Sequence, residues 1–224
     1  MKREILKTGD GSMTIHLPEI NEQYHSKHGA LQEAQHVFIK NGLQHFCSLN
    51  SKKEAFILEI GFGTGLNCLL TYFEAKNSNL KIEYTGVEAF PVLVSEWKAM
   101  NYGLLLNEEN SSQIFEKLHS VAWEKRENIS KHFSLKKEEK KFQQIEEKNC
   151  YDLIYFDAFG PRVQPDLWTE IIFKIMYDSL KTNGVLTTYS AKGSVRRAMQ
   201  SVGFIVERLK GPPGKREMLR GTKF

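Results

Sequence analysis

The first 50 residues carry two kinds of hydrophobic pattern. Two short apolar stretches, residues 4–7 and 13–17, flank a turn-rich segment, and this arrangement predicts a β-hairpin. After a polar loop at residues 24–29, apolar residues recur at helical spacing and predict a helix that ends near Gly42. The pattern therefore predicts an N-terminal extension, residues 1–50, made of a hairpin and a helix.

The remaining residues, 51–224, alternate between short apolar runs and segments of helical periodicity. Strands are predicted at residues 56–60, 82–87, 152–156, 184–189, 204–208 and 216–220. Helices are predicted at residues 66–75, 91–100, 111–126, 166–180 and 195–201. Repeated strand–helix units of this length predict an α/β fold, in which helices cover both faces of a mostly parallel sheet.

Charged residues are unevenly distributed along the chain. A charged run at residues 136–140, flanked by more apolar residues, is interpreted as the tip of a hairpin. Residues 181–224 contain ten Lys or Arg and two Asp or Glu, although the net charge of the whole chain is only +4. This basic end favours a polyanionic partner such as nucleic acid, and ordinary surface charge is the alternative.

The composition indicates a protein with a full hydrophobic core, because 41% of the 224 residues are hydrophobic and 26% are charged. No apolar run approaches the roughly 18 residues of a membrane span, and no signal peptide is recognisable. Cys47, Cys68 and Cys150 are widely spaced and lack the spacing of zinc ligands. We therefore expect a reducing, cytoplasmic setting without a metal site, and Cys68 in the core.

A glycine-rich loop at residues 61–65, Gly-Phe-Gly-Thr-Gly, follows the first strand of the alternating region. Ligands of open α/β sheets bind beyond the carboxyl ends of the strands, where glycine allows a sharp turn and close approach. A dinucleotide-binding loop would need glycine in place of Leu66, and the Gly-Lys-Ser/Thr of a P-loop is missing. The observed spacing, preceded by Glu59, is instead the pattern of class I methyltransferases.

Two further acids follow predicted strands. A carboxylate at Glu88 can accept hydrogen bonds from a ribose diol, which supports a nucleoside ligand without choosing the cofactor. The alternative is a ligand-free turn with an acid that caps a helix. Asp157 follows the strand at residues 152–156, and the next clear helix begins only near Pro165, which disfavours capping. We expect Asp157 mainly to position an acceptor amine, because an ordinary Asp is a poor base.

Five segments resemble one family. They are residues 24–30 with 33 and 36–38, residues 61–67, residues 87–91, residues 157–161 with 165–168, and residues 214–219. Together they resemble the methyltransferases that complete 5-methylaminomethyl-2-thiouridine at the tRNA wobble position. That activity is found in stand-alone proteins or in the N-terminal half of a bifunctional enzyme.

The resemblance implies a Rossmann-like class I methyltransferase sheet, with the N-terminal extension packed over the active site. It implies S-adenosyl-L-methionine as the cofactor and N-methylation of the 5-aminomethyl group of the (2-thio)uridine. The implied partner is the anticodon stem-loop of tRNA. The bifunctional form also carries a flavin-dependent oxidase, so a separate oxidase is a second candidate partner.

The resemblance also assigns roles to matching positions. The catalytic candidate is Asp157, beside the accepting amine. The cofactor-binding candidates are Glu59, Gly61, Phe62, Gly63, Thr64, Gly65, Asn67, Glu88 and Asp157. The substrate-binding candidates are Tyr24, Ser26, Glu33, His36, Phe159, Lys215 and Arg216. A purely structural role is the alternative for His36, and packing is expected for Trp168.

Three alternative functions stay open. A methyltransferase of small-molecule amines would show the same glycine loop, whereas Leu66 disfavours a nucleotide-dependent oxidoreductase. A catalytically silent RNA-binding module is the third. Methyltransferases of this fold often use an acid after the third strand to contact adenine, and residues 143–147 leave that contact unassigned.

Overall fold

The computed structural model describes residues 2–49 and 52–224, so the expected domain boundary between residues 50 and 51 lies outside the described residues. The N-terminal part forms a small antiparallel sheet of β1 (Glu4–Lys7), β2 (Met13–Leu17) and β3 (Glu22–Gln23). Strands β1 and β2 pair as the predicted hairpin.

A continuous helical segment follows this small sheet. It consists of α1 (Ala30–Ala34), a π-helical stretch (Gln35–Gln44) and α2 (His45–Leu49). The predicted end near Gly42 is therefore wrong. A Cβ on Gly42 would lie 3.2 Å from both the Thr187 hydroxyl and the Tyr155 ring. The glycine lets the helix approach the sheet closely and does not terminate it.

In the described residues, the central sheet has eight strands. They are β4 (Glu54–Ile60), β5 (Lys81–Glu88), β6 (Arg126–Ser130), β7 (Phe133–Glu139), β8 (Tyr151–Phe156), β9 (Leu180–Thr188), β10 (Ile205–Lys210) and β11 (Glu217–Thr222). Their spatial order is β10-β11-β9-β8-β4-β5-β7-β6. The five inner strands pair in parallel, and β6, β10 and β11 pair antiparallel. The predicted mostly parallel sheet is confirmed.

Helices cover both faces of this sheet, as predicted. After α2 they are α3 (Leu66–Ser78), α4 (Val94–Lys98), α5 (Tyr102–Leu105), α6 (Ser111–Ser120), α7 (Glu170–Ser179) and α8 (Gly193–Ser201). One apolar cluster joins the sheet to the first helical segment, α3 and α6, and includes Cys68. The other joins it to α7 and α8, and Trp168 packs there 5.0 Å from Phe156. No helix in the described ranges is long and apolar enough to cross a membrane.

The charged run at residues 136–140 is not a hairpin tip. Most of it belongs to β7, which pairs in parallel with β5 inside the sheet. Lys137 is only 2% exposed, and its Nζ donates a hydrogen bond of 2.7 Å to the His119 carbonyl. Glu138 forms ion pairs with two lysines of the same run. Because nearby groups satisfy these charges, a charged segment can occupy a buried strand.

The order of strands reverses between β4 and β8. From β4 the chain continues through β5 to β7 on one side, and from β8 it continues to β9 on the other. The loops after β4 and β8 therefore leave the carboxyl edge of the sheet side by side, where such folds bind ligands. The Asp157 amide donates a hydrogen bond of 2.9 Å to the Ile60 carbonyl, which places Asp157 beside the glycine loop.

Candidate active site

A cavity of about 1420 Å³ lies at the carboxyl edge of the sheet, above the ends of β4, β5 and β8. The glycine loop and the residues that follow β5 and β8 form one part of its lining. The N-terminal extension lines the opposite part, and Gly214 and Lys215 of the C-terminal loop contribute one side. Segments from both ends and the middle of the chain thus meet at one cavity.

The three glycines of the loop adopt left-handed backbone conformations, with φ of 86° at Gly61, 50° at Gly63 and 75° at Gly65. A Cβ on Gly61 would lie 2.8 Å from the Asp157 carbonyl oxygen, and a Cβ on Gly63 would lie 3.2 Å from the Tyr24 ring. Both the φ values and the short distances therefore require glycine. The backbone consequently forms an open cradle next to Asp157.

Glu88, at the end of β5, faces this cradle. Its Oε2 accepts a hydrogen bond of 3.1 Å from the Gly63 amide, and its Oε1 accepts one of 2.9 Å from the Phe90 amide. Each carboxylate oxygen has two acceptor sites, so both oxygens keep capacity for a further donor. The glycine loop therefore holds this carboxylate in a fixed orientation at the wall of the cavity.

Asn67, in the first turn of α3, connects two acidic side chains. Its amide nitrogen donates a hydrogen bond of 2.9 Å to Asp157 and another of 2.8 Å to Glu59. Glu59 is fully buried beneath the cavity and also accepts a hydrogen bond of 2.8 Å from the Tyr84 hydroxyl. Burial raises the pKa of Glu59 well above its usual range, which favours the neutral carboxyl. Glu59 thus contacts Asn67 and does not line the cavity.

Asp157 is the acid with the most altered environment among those that line the cavity. Burial, with the nearby negative charge of Glu33 as a second cause, raises the pKa of Asp157 to about 7. The Asn67 hydrogen bond and the positive charge of Lys215 act in the opposite direction. The carboxyl therefore changes its protonation state near neutral pH.

The N-terminal extension and the C-terminal loop contact each other at the cavity. The Glu33 carboxylate accepts a hydrogen bond of 3.2 Å from the Ser26 amide and forms an ion pair of 2.5 Å with Lys215. The ring of Tyr24 packs edge-on against Phe159, with 5.0 Å between ring centres. All five of these residues line the cavity together with Asp157.

Most predicted site residues lie together. Those lining the cavity are Tyr24, Ser26, Glu33, Gly61, Phe62, Gly63, Thr64, Asn67, Glu88, Asp157, Phe159 and Lys215. Glu59, Gly65, His36 and Arg216 do not line it. Gly65 instead precedes α3, and the His36 Nε2 donates a hydrogen bond of 2.7 Å to the Lys210 carbonyl, away from the cavity. Arg216 lines a separate, smaller cavity.

His25 is a site residue that sequence reasoning missed. Its ring is buried and lies within hydrogen-bonding distance of Thr14 in β2, at 3.2 Å, and of Thr64 in the glycine loop, at 3.4 Å. Burial lowers the pKa of His25 to about 4, so the neutral ring joins the extension to the loop. His25 lies within residues 24–30, one of the segments that carry the family resemblance, but composition and periodicity give a lone His in a polar loop no signal for this contact.

The far end of the cavity is lined by Glu139, Phe142 and Gln143. Glu139 ends β7 and pairs in register with Glu88 of β5. Glu139 is therefore an acid at the end of the third parallel strand along the chain. It is not identified from the sequence, because residues 136–140 are interpreted there as the tip of a hairpin.

Among the described residues, no three His, Cys, Asp or Glu side chains are grouped as metal ligands.

Comparison with known proteins identifies the family of this chain. A family model described as S-adenosyl-L-methionine-dependent methyltransferase matches residues 109–224. The chain belongs to this family. S-adenosyl-L-methionine is the cofactor of this methyltransferase.

Two curated relatives are each named tRNA 5-methylaminomethyl-2-thiouridine biosynthesis bifunctional protein MnmC. The relative from Marinomonas sp. (strain MWYL1) is 28% identical over an alignment of 218 positions, gaps included, that covers 92% of this chain and 32% of the relative. The relative from Polaromonas naphthalenivorans (strain CJ2) is 28% identical over an alignment of 229 positions that covers 97% of this chain and 35% of the relative. The methyltransferase chain therefore spans about a third of the length of these relatives.

A solved structure, MnmC2 from Aquifex aeolicus, superposes with a TM-score of 0.77 at 26% identity. The match covers 98% of this methyltransferase and 70% of the solved chain. The fold predicted from the sequence, a class I methyltransferase sheet preceded by an N-terminal extension, is consistent with this similarity.

The residues of the cavity fit the cofactor. Gly61 and Gly63 line the cavity and carry no side chains, which suits close approach of a ligand to the backbone. The Oδ1 of Asn67 is buried and has no hydrogen-bond partner among the described residues, so it can accept a hydrogen bond from a ligand. When bound, S-adenosyl-L-methionine supplies an activated methyl group on its sulfonium.

Gly61→Ala should weaken cofactor binding. The new Cβ would meet the Asp157 carbonyl and force a left-handed alanine, a strain of about 1–3 kcal/mol. We expect the Kd for S-adenosyl-L-methionine, measured by calorimetry, to rise at least about tenfold. Gly160→Ala is the matched control, because its Cβ would make only ordinary contacts, at 3.5 Å or more, in the same cavity. Equal Kd values for the two variants would contradict the prediction.

Proposed function

We propose that this methyltransferase transfers a methyl group to the 5-aminomethyl group of the (2-thio)uridine at the tRNA wobble position. The observation that carries the proposal is the partly buried carboxyl of Asp157, which lies beside the glycine loop and lines the same cavity as the extension. Such a group suits an amine acceptor, because it can hold a positively charged amine and take its proton. The names of the curated relatives, which match over most of this chain, support RNA as the carrier of that amine.

The proposed cofactor contacts follow the cavity from end to end. Glu88 accepts hydrogen bonds from the ribose hydroxyls with the acceptor sites that Gly63 and Phe90 leave free. Phe142, Gln143 and Glu139 line the part of the cavity that would hold the adenine. Gly61, Asn67 and Asp157 would contact the reactive end of the cofactor.

The chain performs two tasks in the transfer. First, it holds the amine in line with the methyl group, which lowers the entropic part of the barrier. Second, the Asp157 carboxylate takes a proton from the ammonium, which frees the nitrogen lone pair for attack. The pKa of a primary amine is roughly 10, so the difference from the Asp157 carboxyl, at about 7, is about 3 instead of about 6 for an ordinary Asp. Burial thus makes Asp157 a better base than its residue type suggests.

N-terminal and C-terminal segments shape the acceptor space under this proposal. The extension up to residue 50 supplies Tyr24, Ser26 and Glu33, and the C-terminal loop supplies Lys215. The aromatic pair of Tyr24 and Phe159 offers an apolar wall against which a pyrimidine ring can pack. The carboxylate of Glu33 adds negative charge near the ammonium.

A methylation assay tests the substrate. The purified protein is incubated with methyl-labelled S-adenosyl-L-methionine and an anticodon stem-loop that carries 5-aminomethyluridine at the wobble position. We expect the label on this RNA and none on the same RNA with unmodified uridine, because only the former presents an amine. Label on small amines without label on the RNA would overturn the proposal in favour of a small-molecule methyltransferase.

Asp157→Asn should lower kcat about 10²- to 10⁴-fold, because the amide cannot accept the ammonium proton. Binding of S-adenosyl-L-methionine, measured by calorimetry, should persist. Asp166→Asn is the matched control, because Asp166 lines the same cavity and this substitution makes the same change from carboxylate to amide. If kcat of Asp157→Asn is close to that of the unaltered protein, Asp157 does not accept the proton.

The charges around Asp157 come from several elements. Glu33 on α1 and Glu59 on β4 are the neighbouring acids, and Lys215 on the C-terminal loop is the neighbouring cation. Asn67 on α3 donates the hydrogen bond, and the Tyr189 hydroxyl lies after β9. A carboxyl whose pKa is raised is protonated below that pKa and ionised above it. The active form of Asp157 is therefore lost as the pH falls through about 7.

The acidic limb of kcat/KM against pH, which reports the free enzyme, should lie near pH 7 and should move to lower pH in Glu33→Gln. This substitution removes a negative charge and releases Lys215, and both changes favour the ionised form of Asp157. Glu22→Gln is the control, because Glu22 lines the cavity without being among the causes that shift Asp157. An acidic limb that stays in place in Glu33→Gln would contradict this account.

A further inference from the structure

A second cavity, of about 610 Å³, lies next to the first at the same edge of the sheet. The segment after β9 forms one side of it, and β10 and the start of β11 form the other. Tyr189 and Lys215 line both cavities. These two residues therefore form the wall between the proposed acceptor space and the second cavity.

Contacts with each other and with neighbouring segments fix the positions of the two wall residues, Tyr189 and Lys215. The Lys215 Nζ lies 3.9 Å from the centre of the Tyr189 ring, and the Tyr189 hydroxyl donates a hydrogen bond of 2.8 Å to the Ala158 carbonyl. Lys215 also pairs with Glu33 of the extension. The contacts that separate the two cavities thus join four segments that are distant in the sequence.

Positive charge dominates the second cavity. Lys192, Arg208, Lys215 and Arg216 line it, and Glu217 is the acid among its lining residues. The Glu217 carboxylate lies 3.7 Å from Arg208, and both side chains are nearly half exposed, so this pair neutralises little. The side chains of Lys192 and Arg216 have no ion-pair or hydrogen-bond partner among residues 2–49 and 52–224. Two cations are therefore available to an anionic ligand.

We propose that the second cavity binds a backbone phosphate of the nucleotide next to the one that is methylated. The inference rests on the proposed function, because the methylated group must belong to an RNA chain. Single-stranded loops present splayed nucleotides to proteins, so a base can enter the first cavity while a neighbouring phosphate stays outside the wall. Lys192 and Arg216 contact this phosphate, and Lys215 lies between it and the amine pocket.

The test compares Lys192→Ala/Arg216→Ala with Lys53→Ala/Lys148→Ala. The control lysines are exposed and lie before β4 and β8, at the opposite edge of the sheet, so both variants lose two positive charges. The probes are the 5-aminomethyluridine anticodon stem-loop and the free 5-aminomethyluridine nucleoside, which has no phosphate. Thermal unfolding of both variants verifies that the fold is retained.

We expect Lys192→Ala/Arg216→Ala to raise the Kd for the stem-loop about tenfold and to reduce the slope of log K against log salt by about 0.7, the value for one phosphate in a single strand. Turnover of the nucleoside and affinity for S-adenosyl-L-methionine should stay unchanged, because neither needs the second cavity. Stem-loop binding equal to that of Lys53→Ala/Lys148→Ala would overturn the phosphate site while leaving the proposed function intact. Failure of the unaltered protein to methylate either probe would instead overturn the proposed function, and the phosphate site with it.

Discussion

The hydrogen bonds of one amide, the Asn67 side chain, connect the parts of the active site. The same nitrogen donates to Glu59 inside β4 and to Asp157 after β8. This is geometrically possible because β4 and β8 are adjacent and the glycine loop turns directly into α3. Removal of the amide would leave the buried Glu59 and the partly buried Asp157 without a shared donor, at a cost of about 1–3 kcal/mol for the buried group. The loop, the helix start and the reactive carboxyl are therefore interdependent.

Acidic and basic groups lie in a defined order along the cavities. Asp157 and Glu33 provide negative charge where we propose that an ammonium binds, and Lys192 and Arg216 provide positive charge where we propose that a phosphate binds. Lys215 lies between them, paired with Glu33 on one side and stacked over Tyr189. A substrate that combines an amine with a phosphodiester chain matches both ends of this arrangement. A small amine would use only the acidic end.

Several elements could be predicted from sequence because their signals are local. The apolar run at residues 152–156 and the glycine spacing at residues 61–65 each depend on neighbouring residues alone, and both predictions are confirmed as a central strand and a loop. Strand β7 was missed because its charged residues contradict the usual apolar pattern, and their partners come from elsewhere in the fold. Gly42 was misinterpreted for the same reason, since the close approach that requires it involves Tyr155 and Thr187.

The sequence by itself determined the alternating α/β architecture and the type of cofactor loop, because periodicity and glycine spacing act over a few consecutive residues. It also identified Asp157 as an acid at a strand end. Only the tertiary structure decided the chemistry of that acid, since its raised pKa depends on burial and on Glu33. Only the tertiary structure joined Glu33 to Lys215 across 182 residues. Contacts at such separations follow from how the extension and the last strands pack on the sheet, and no local pattern encodes them.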